Sequence, residues 1–264
     1  MTKTVSLYNE SLTLHFNNNA RNRYIIEEMK HAPVGVTSVL GKVLAKPALM
    51  LWPMNEALKY TREQLVDEVS YTAGGINKIL DEASKAYTKK SDKGKDVGSL
   101  IHAAIEAYLL DEEQEVPKDA QKPLESFKKW FEELEPTVLD VERIIYSKSL
   151  DYAGTFDSLL EIDGKTVLCD VKSTNSSRSA PNGIYPEMFL QLGAYSYALH
   201  EEDKEAGIQD LMIIRVSKTG ELNTLRASEL GMSVRDCEDA WLHVLNTYKV
   251  MTPLTKRLEE YANN

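Results

Sequence analysis

The sequence predicts an α/β protein with a central mixed sheet, flanking helices and a helical N-terminal portion. Helical periodicity dominates from about residue 39 to residue 131. Strand-like segments then follow one another between residues 138 and 172. A helix, two further strands and a final helix complete the chain. Strands and helices that occur in blocks, rather than in strict alternation, argue against a doubly wound fold.

The first thirty residues predict a β-hairpin. SLTLHF and RNRYIIEE form its arms, and NNNA forms a polar tip suited to a turn. Thr37 or Ser38 is a candidate N-cap for a helix that begins near Val39.

The following ninety residues predict helices interrupted by glycine and proline. The expected helices cover 60–69, 76–88, 98–110 and 119–134. The expected breaks are Pro53, Gly74-Gly75, Gly94, Gly98 and Pro117. Beyond them, we expect strands at 138–147, 209–217 and 221–226 and helices at 186–203 and 232–262.

Residues 154–172, GTFDSLLEIDGKTVLCDVK, read as two strands joined by the turn dipeptide Asp163-Gly164. If these two residues form the turn, the register places Asp157 opposite Asp170, with Cβ atoms about 4.5–5.5 Å apart. Lys172 then points to the same face as Asp170, because side chains alternate along a strand. Two opposed carboxylates destabilise a hairpin unless something offsets their charge. The hairpin therefore predicts a metal site.

Carboxylate ligands suit Mg²⁺ or Mn²⁺. Such a metal lowers the pKa of bound water and neutralises charge during attack on a phosphodiester. The lysine beside it can steady the water and the developing negative charge. The alternative interpretation places Asp157 in a turn and makes Asp170 and Lys172 a surface ion pair.

Two pairs of residues share a helical face because they are four residues apart. His102 and Glu106 form the first pair, and a core histidine is the alternative interpretation of His102. Gln191 and Tyr195 form the second pair and could contact a phosphate or a base, or could simply belong to the edge of the core. Glu142, on the preceding strand, is either a supporting carboxylate or a solvent-facing charge.

The net charge of −10 argues against a protein that coats nucleic acid through bulk electrostatics. Five lysines between Lys85 and Lys95 nevertheless form a local basic cluster, which is either a nucleic-acid contact or a solvated loop. No apolar run is long enough to span a membrane, and the N-terminus lacks the apolar segment of a signal peptide. A cytosolic protein, in a bacterial or phage-infected cell, is expected.

Two cysteines, Cys169 and Cys237, are too few for a disulfide framework or a four-cysteine metal cluster. Cys169 falls in a predicted strand and Cys237 in a predicted helix, and both are interpreted as small buried or half-buried residues and not as reactive thiols.

The order of these motifs resembles the PD-(D/E)XK nuclease superfamily in its RecB-like branch. Gly154-Thr155-Phe156-Asp157 looks like that branch's G-x-x-D element, Asp170-Val171-Lys172 like its D-x-K and Gln191 to Tyr195 like its Q-x-x-x-Y. Residues 98–102 with Glu106 look like its upstream histidine helix. Within the branch, the chain is most similar to the mitochondrial genome maintenance exonuclease and its phage and bacterial relatives.

The resemblance implies one nuclease domain over 1–264, with an N-terminal hairpin and helical portion (1–93) and a nuclease core with a C-terminal helix (94–264). It implies Mg²⁺- or Mn²⁺-dependent hydrolysis of DNA from an end, with single strands favoured. By this resemblance His102, Asp157, Asp170 and the Val171 carbonyl would hold the metal, and Lys172 would orient the water. Gln191 and Tyr195 would support the site or contact DNA, and Glu106 and Glu142 would support it less directly.

Several features of the family are not expected in this chain. It lacks the four cysteines of the iron–sulfur members, so no cluster is expected, and it has no phosphate-binding loop of a motor. The resemblance leaves open a replication or recombination partner protein and a homo-oligomer.

Candidate DNA contacts lie in two polar segments and in the basic cluster. They are Arg178 in the 173–183 loop, Lys93 and Lys95 in the cluster, and Arg21 and Arg23 at the hairpin tip. An exonuclease acting in DNA replication, recombination or repair is the leading hypothesis. A structure-specific or restriction-like endonuclease and a catalytically silent DNA-binding or assembly module are the alternatives.

Overall fold

The structure, a computed structural model, describes residues 2–18, 20, 22–44, 47–67, 69–174 and 183–263. For residues 47–50 and Lys93 it describes the backbone alone. The chain divides into two compact units. The first unit joins Met1–Leu44 to Ile101–Asn264, and the second unit is Ala45–Leu100. A single nuclease domain with a boundary near residue 93 stays a prediction.

The elements follow the predicted order. The strands are β1 (Thr2–Leu7), β2 (Leu12–Asn17), β3 (Tyr24–Ile26), β4 (Val34–Gly35), β5 (Thr137–Ser147), β6 (Tyr152–Ile162), β7 (Lys165–Thr174), β8 (Asp210–Ser217) and β9 (Leu222–Arg226). The helices are α1 (Val36–Val43), α2 (Pro47–Gln64), α3 (Ala73–Leu109), α4 (Lys118–Leu134), α5 (Pro186–Glu202) and α6 (Val234–Ala262).

The predicted N-terminal hairpin is part of a three-stranded antiparallel sheet in the order β1-β2-β3. Strands β2 and β3 are the predicted arms, and Leu14 faces Ile26 between them. Strand β1 was missed, although Thr2–Leu7 alternates exposed positions with partly buried or buried ones, as an edge strand does. Leu14 and Ile26 are fully buried and pack with Ile144 and Tyr146 of β5. The small sheet is therefore anchored to the first unit's core.

The central sheet has six strands and is mixed. Strand β6 pairs antiparallel with β5 and β7, while β7 pairs parallel with β8 and β4 pairs parallel with β6. Helix α5 makes the connection that a parallel β7–β8 pair requires. Helices α1, α5 and α6 share one core with the sheet, built around Phe156, Leu192 and Trp241. The predicted fold class, an α/β protein with a central mixed sheet flanked by helices, is confirmed.

The turn between β6 and β7 has the predicted geometry. Asp163 and Gly164 have φ of 54° and 72°, and a two-residue hairpin turn favours positive φ at both positions. Ile162 faces Lys165, so the register is the one that the dipeptide predicts. Cys169 on β7 and Cys237 on α6 are buried free thiols, as predicted.

The predicted helix breaks at Gly94 and Gly98 were wrong, because α3 runs without interruption for 37 residues. A helical glycine costs about 1 kcal/mol relative to alanine, which good helix formers on either side outweigh. Pro53 likewise lies inside α2. Helix α1 begins at Val36 with Gly35 as N-cap, so Thr37 and Ser38 lie in its first turn instead of capping it.

The lysine cluster lies on helix α3, so its interpretation as a loop was wrong. Lys85 and Lys89 both pair with Glu82, and Lys90 pairs with Glu56, all within the second unit. Among the described helices, none has a stretch that is both long and apolar enough to cross a bilayer.

Candidate active site

Three carboxylates lie at one level of three neighbouring strands. Glu142 of β5 and Asp157 of β6 lie between the strand pairs Val141–Ser158 and Arg143–Phe156. On the other side of β6, the register places Asp157 at the level of Asp170 of β7. Glu142 has φ of 49°, which places a non-glycine residue in the left-handed region within a strand. Backbone strain of this kind is frequent at functional sites.

Strands β6 and β7 separate at this level. Their pairing ends at Ser158 and Cys169, one pair before Asp157 and Asp170. In place of a ladder bond, the Val171 amide donates to Asp157 Oδ2 at 2.6 Å. Because the N–H and C=O of one strand residue point to the same side, the Val171 carbonyl also points toward Asp157. Strands β6 and β7 therefore leave a gap between them that is bordered by carboxylate and carbonyl oxygens.

Lys172 forms an ion pair with Asp170, and Nζ lies 2.5 Å from Oδ2. The Asp170 side chain is 2% exposed. Burial raises the pKa of this carboxyl to about 6, with Asp157 adding to the effect and Lys172 opposing it. Burial alone would lower the pKa of the Lys172 amine, but the charges of Asp170 and Asp157 outweigh it and the pKa is raised. The neighbouring carboxylates therefore favour the protonated form of the Lys172 amine.

Gln191 connects the members of this pair to helix α5. Its Oε1 accepts from Lys172 Nζ at 3.2 Å, and its Nε2 donates to Asp170 Oδ1 at 3.1 Å. The same Nε2 donates to the Tyr195 hydroxyl at 2.8 Å. All three contacts require one orientation of the amide, which they consequently hold in place.

Tyr195 is 2% exposed, and its ring lies against the backbone of Gly154. A Cβ at Gly154 would lie 3.0 Å from Tyr195 Cδ1 and still nearer to Cε1. Burial raises the pKa of the Tyr195 hydroxyl, and the charge of Asp170 adds to the effect. Of the two expectations for Tyr195, this burial favours support of the site over stacking on a base.

The end of α3 supplies the predicted histidine and glutamate. His102 Nδ1 lies 3.6 Å from Asp157 Oδ2. Glu106, one turn later, pairs with Lys3 Nζ at 3.2 Å. Lys3 belongs to strand β1, which the sequence interpretation missed together with this contact. The alternation in TKTVSL was the signal that could have revealed the strand, whereas no local signal indicates the contact.

The electrostatics of these residues fit a bound cation. Burial raises the pKa of Glu142 to about 8, and the charges of Asp157, Glu106 and Asp170 contribute to the shift. The donors are carboxylate oxygens with one imidazole, a set that suits Mg²⁺ or Mn²⁺. In the described part of the chain, however, no three His, Cys, Asp or Glu side chains are grouped as closely as a metal ion would hold them.

The predicted DNA contacts are described unequally. Arg178 and Arg21 lie outside the described residues, and the Lys93 side chain is not described. Lys95 is exposed and pairs with Asp92 in the second unit. Arg23 is exposed and lines a pocket of the first unit.

No protein-family model matches this chain. No curated protein sequence matches it either. An unverified exonuclease from Eubacterium rectale is 15% identical, with 58% of this chain and 68% of that chain covered and a TM-score of 0.36. An alkaline exonuclease from Laribacter hongkongensis is 14% identical, with 60% and 84% covered and a TM-score of 0.27.

A second structure of the Laribacter hongkongensis protein, in complex with dAMP, is 11% identical to this chain. The match covers 86% of this chain and 94% of the Laribacter hongkongensis chain, with a TM-score of 0.26. Similarity at this level supports no assignment of activity.

Proposed function

We propose that this protein is a Mg²⁺- or Mn²⁺-dependent exonuclease that hydrolyses DNA phosphodiester bonds. The observation that carries the proposal is the row of Glu142, Asp157 and Asp170 across three strands, with Lys172 beside it. A row of like charges is costly, because each carboxylate raises the free energy of its neighbours. A divalent cation at the gap between β6 and β7 would remove that cost.

Asp157, Asp170, His102 and the Val171 carbonyl are the proposed ligands. The Asp157 carboxylate and the Val171 peptide border the same gap, as the bond from the Val171 amide to Oδ2 indicates. When bound, the cation supplies charge neutralisation at the phosphate and lowers the pKa of a coordinated water. Glu142 and Glu106 are proposed to support this charge balance from the adjoining strand and helix.

Lys172 is proposed to orient the attacking water. An ammonium group has three N–H donors; that of Lys172 donates one hydrogen bond to Gln191 Oε1 and is ion-paired with Asp170 Oδ2. A remaining N–H can donate to a water or to a non-bridging phosphate oxygen. Because the pKa of Lys172 is raised, the group stays charged and stabilises the negative charge that develops on the phosphate.

Gln191 and Tyr195 are proposed to hold this arrangement without touching the substrate. Gln191 fixes the distance between Lys172 and Asp170 by bonding both, and the Tyr195 hydroxyl accepts the second Gln191 N–H. Preorganised donors of this kind need no rearrangement when charge develops.

The more specific parts of the proposal rest on the order of the sequence motifs and on the family that this order resembles. They are a preference for single-stranded ends, a role in replication, recombination or repair, and kinship with the RecB-like branch and its mitochondrial exonuclease. A restriction-like endonuclease would use the same chemistry, and a silent DNA-binding module would keep the fold without it.

The decisive experiment digests end-labelled single-stranded DNA, end-labelled duplex and closed circles with Mg²⁺, Mn²⁺ or EDTA. We expect metal-dependent loss of the linear substrates while circles persist. Asp170→Ala and Lys172→Ala should each reduce the rate at least about 10²-fold. Lys165→Ala, which removes an exposed lysine at the start of β7, is the matched control. Cleaved circles would favour the endonuclease, and no cleavage by the wild type would favour the silent module.

A further inference from the structure

A polar pocket lies in the first unit, formed by the N-terminal sheet, α1 and α6. Its volume is about 610 Å³. None of the proposed metal ligands lines it. The lining side chains that carry polar groups include Arg23, Tyr24, Thr37, Ser38, Lys42 and Tyr248.

Two cations face this pocket without a carboxylate to neutralise them. Arg23 and Lys42 are both exposed, and within the described ranges neither forms an ion pair with Asp or Glu. Lys42 Nζ instead lies 5.4 Å from the ring centroid of Tyr248. In a chain of net charge −10, two such cations on one pocket mark a local site for an anion.

Neutral donors accompany the cations. Thr37 and Ser38 place exposed hydroxyls in the first turn of α1, beside the pocket. Guanidinium, ammonium and hydroxyl donors together match the oxygens of a phosphate, which accept several hydrogen bonds at once. No carboxylate lines the described part of the pocket, so nothing there repels an anion.

Tyr24 connects the pocket to the candidate active site. Its hydroxyl lies 3.3 Å from Thr155 Oγ1 on β6. Thr155 precedes Asp157 by two residues and so shares its face of the strand, about 7 Å away. Burial raises the pKa of Tyr24, and the charges that act on its hydroxyl include Arg23 on the pocket side and Glu142 on the site side.

We infer that this pocket binds a phosphate group of the DNA strand that is being cut. The inference rests on the proposed function for the identity of the ligand as DNA. Arg23 and Lys42 supply the charge, Thr37 and Ser38 supply hydroxyl donors, and Tyr24 sets the distance to the row of carboxylates. The phosphate is either the terminal monoester of the strand or an internal diester, since both present the same non-bridging oxygens.

Binding without catalysis tests the inference. Fluorescence anisotropy in EDTA would measure the Kd of a single-stranded oligonucleotide with a 5′-phosphate, a 3′-phosphate or neither. We expect Arg23→Ala and Lys42→Ala each to raise Kd about tenfold, since a hydrogen bond to a charged group contributes about 1.5–3 kcal/mol and 1.4 kcal/mol is tenfold. Each should also reduce the slope of log K against log salt by about 0.7. Lys165→Ala is the control, because it removes one positive charge, as each of these two variants does.

The three oligonucleotides distinguish the sources of the phosphate. The Arg23→Ala/Lys42→Ala double variant removes both cations. A terminal group is indicated if one phosphorylated end tightens binding to the wild type but not to this double variant. An internal diester is indicated if the double variant weakens all three equally. The inference is overturned if the double variant matches Lys165→Ala, or if the wild type binds no DNA. Weakened binding by the double variant, with no cleavage by the wild type, would leave the pocket in place and reject the nuclease proposal.

Discussion

The ring of Tyr195 occupies the space that a side chain on Gly154 would need. Gly154 lies on β6 three residues before Asp157, and Tyr195 lies on α5 four residues after Gln191. The contact therefore sets how closely the helix that carries Gln191 approaches the strand that carries Asp157. Gly154 does not have a positive φ, so its backbone conformation does not require a glycine. The close approach of the Tyr195 ring is what requires one.

Gly154→Ala should displace Tyr195 and weaken the site. The added Cβ would overlap Tyr195 Cε1, and overpacking of this kind costs about 1–3 kcal/mol. Urea denaturation would measure the free energy of unfolding, and nuclease assays the accompanying loss of rate. Gly41→Ala in α1 is the control, because a Cβ there meets nothing within 4 Å. Equal stability of the two variants would contradict the contact.

Gln191→Leu should reduce the cleavage rate far more than Tyr195→Phe. Leucine removes the partners of both Lys172 Nζ and Asp170 Oδ1, whereas phenylalanine removes a single acceptor of the Gln191 amide. We expect about a 10²-fold loss of kcat for the first variant and about tenfold or less for the second. Single-turnover rates at saturating DNA would separate this loss from weaker binding. A larger loss for Tyr195→Phe would mean that the hydroxyl acts on the substrate.

Divalent cations should raise the thermal stability of the wild type, and EDTA should reverse the effect. A ligand at one hundred times its Kd contributes about 2.7 kcal/mol, which raises the Tm by several degrees in a protein of this size. Asp157→Asn should abolish most of the shift. Glu161→Gln, an exposed change farther along β6, should preserve it. A shift that persists in Asp157→Asn would place the cation elsewhere.

Glu238 of α6 should stabilise the protein above pH 4.5 and cease to do so in acid. Burial alone would raise the pKa of Glu238, but hydrogen bonds from His200 and Ser196 of α5, with the charges of His200 and Arg235, lower it. The unfolded chain binds the proton first, near the ordinary pKa of about 4.3, so the contribution is lost as the pH falls through the lower folded value.

The corresponding variant is Glu238→Gln. At pH 7 we expect the free energy of unfolding of this variant to be about 1–2 kcal/mol lower than that of the wild type. The difference should shrink as the pH falls below about 4.5. Urea denaturation at a series of pH values would measure it, with Glu161→Gln as the control. A difference that does not change with pH would mean that packing, and not the carboxylate charge, is what α6 gains from Glu238.

The hairpin of β6 and β7 was predictable because its causes are local. Asp163-Gly164 dictates the turn, the turn dictates the register, and alternation then places Asp170 and Lys172 on one face. The pairs His102–Glu106 and Gln191–Tyr195 were predictable for a similar reason, since the helical repeat brings residues four apart onto one face. The roles of these residues in catalysis stay predictions.

Other features depend on contacts between segments that are far apart in the chain. The pairing of β5 with β6 brings Glu142 to the level of Asp157, and no local pattern specifies that register across a bulge. Lys3 reaches Glu106 across 103 residues. The pocket of Arg23 and Lys42 exists because residues near β3, on α1 and on α6, which are far apart in the chain, line one cavity. Backbone geometry acts over a few residues, whereas burial and charge act between whichever segments the fold brings together.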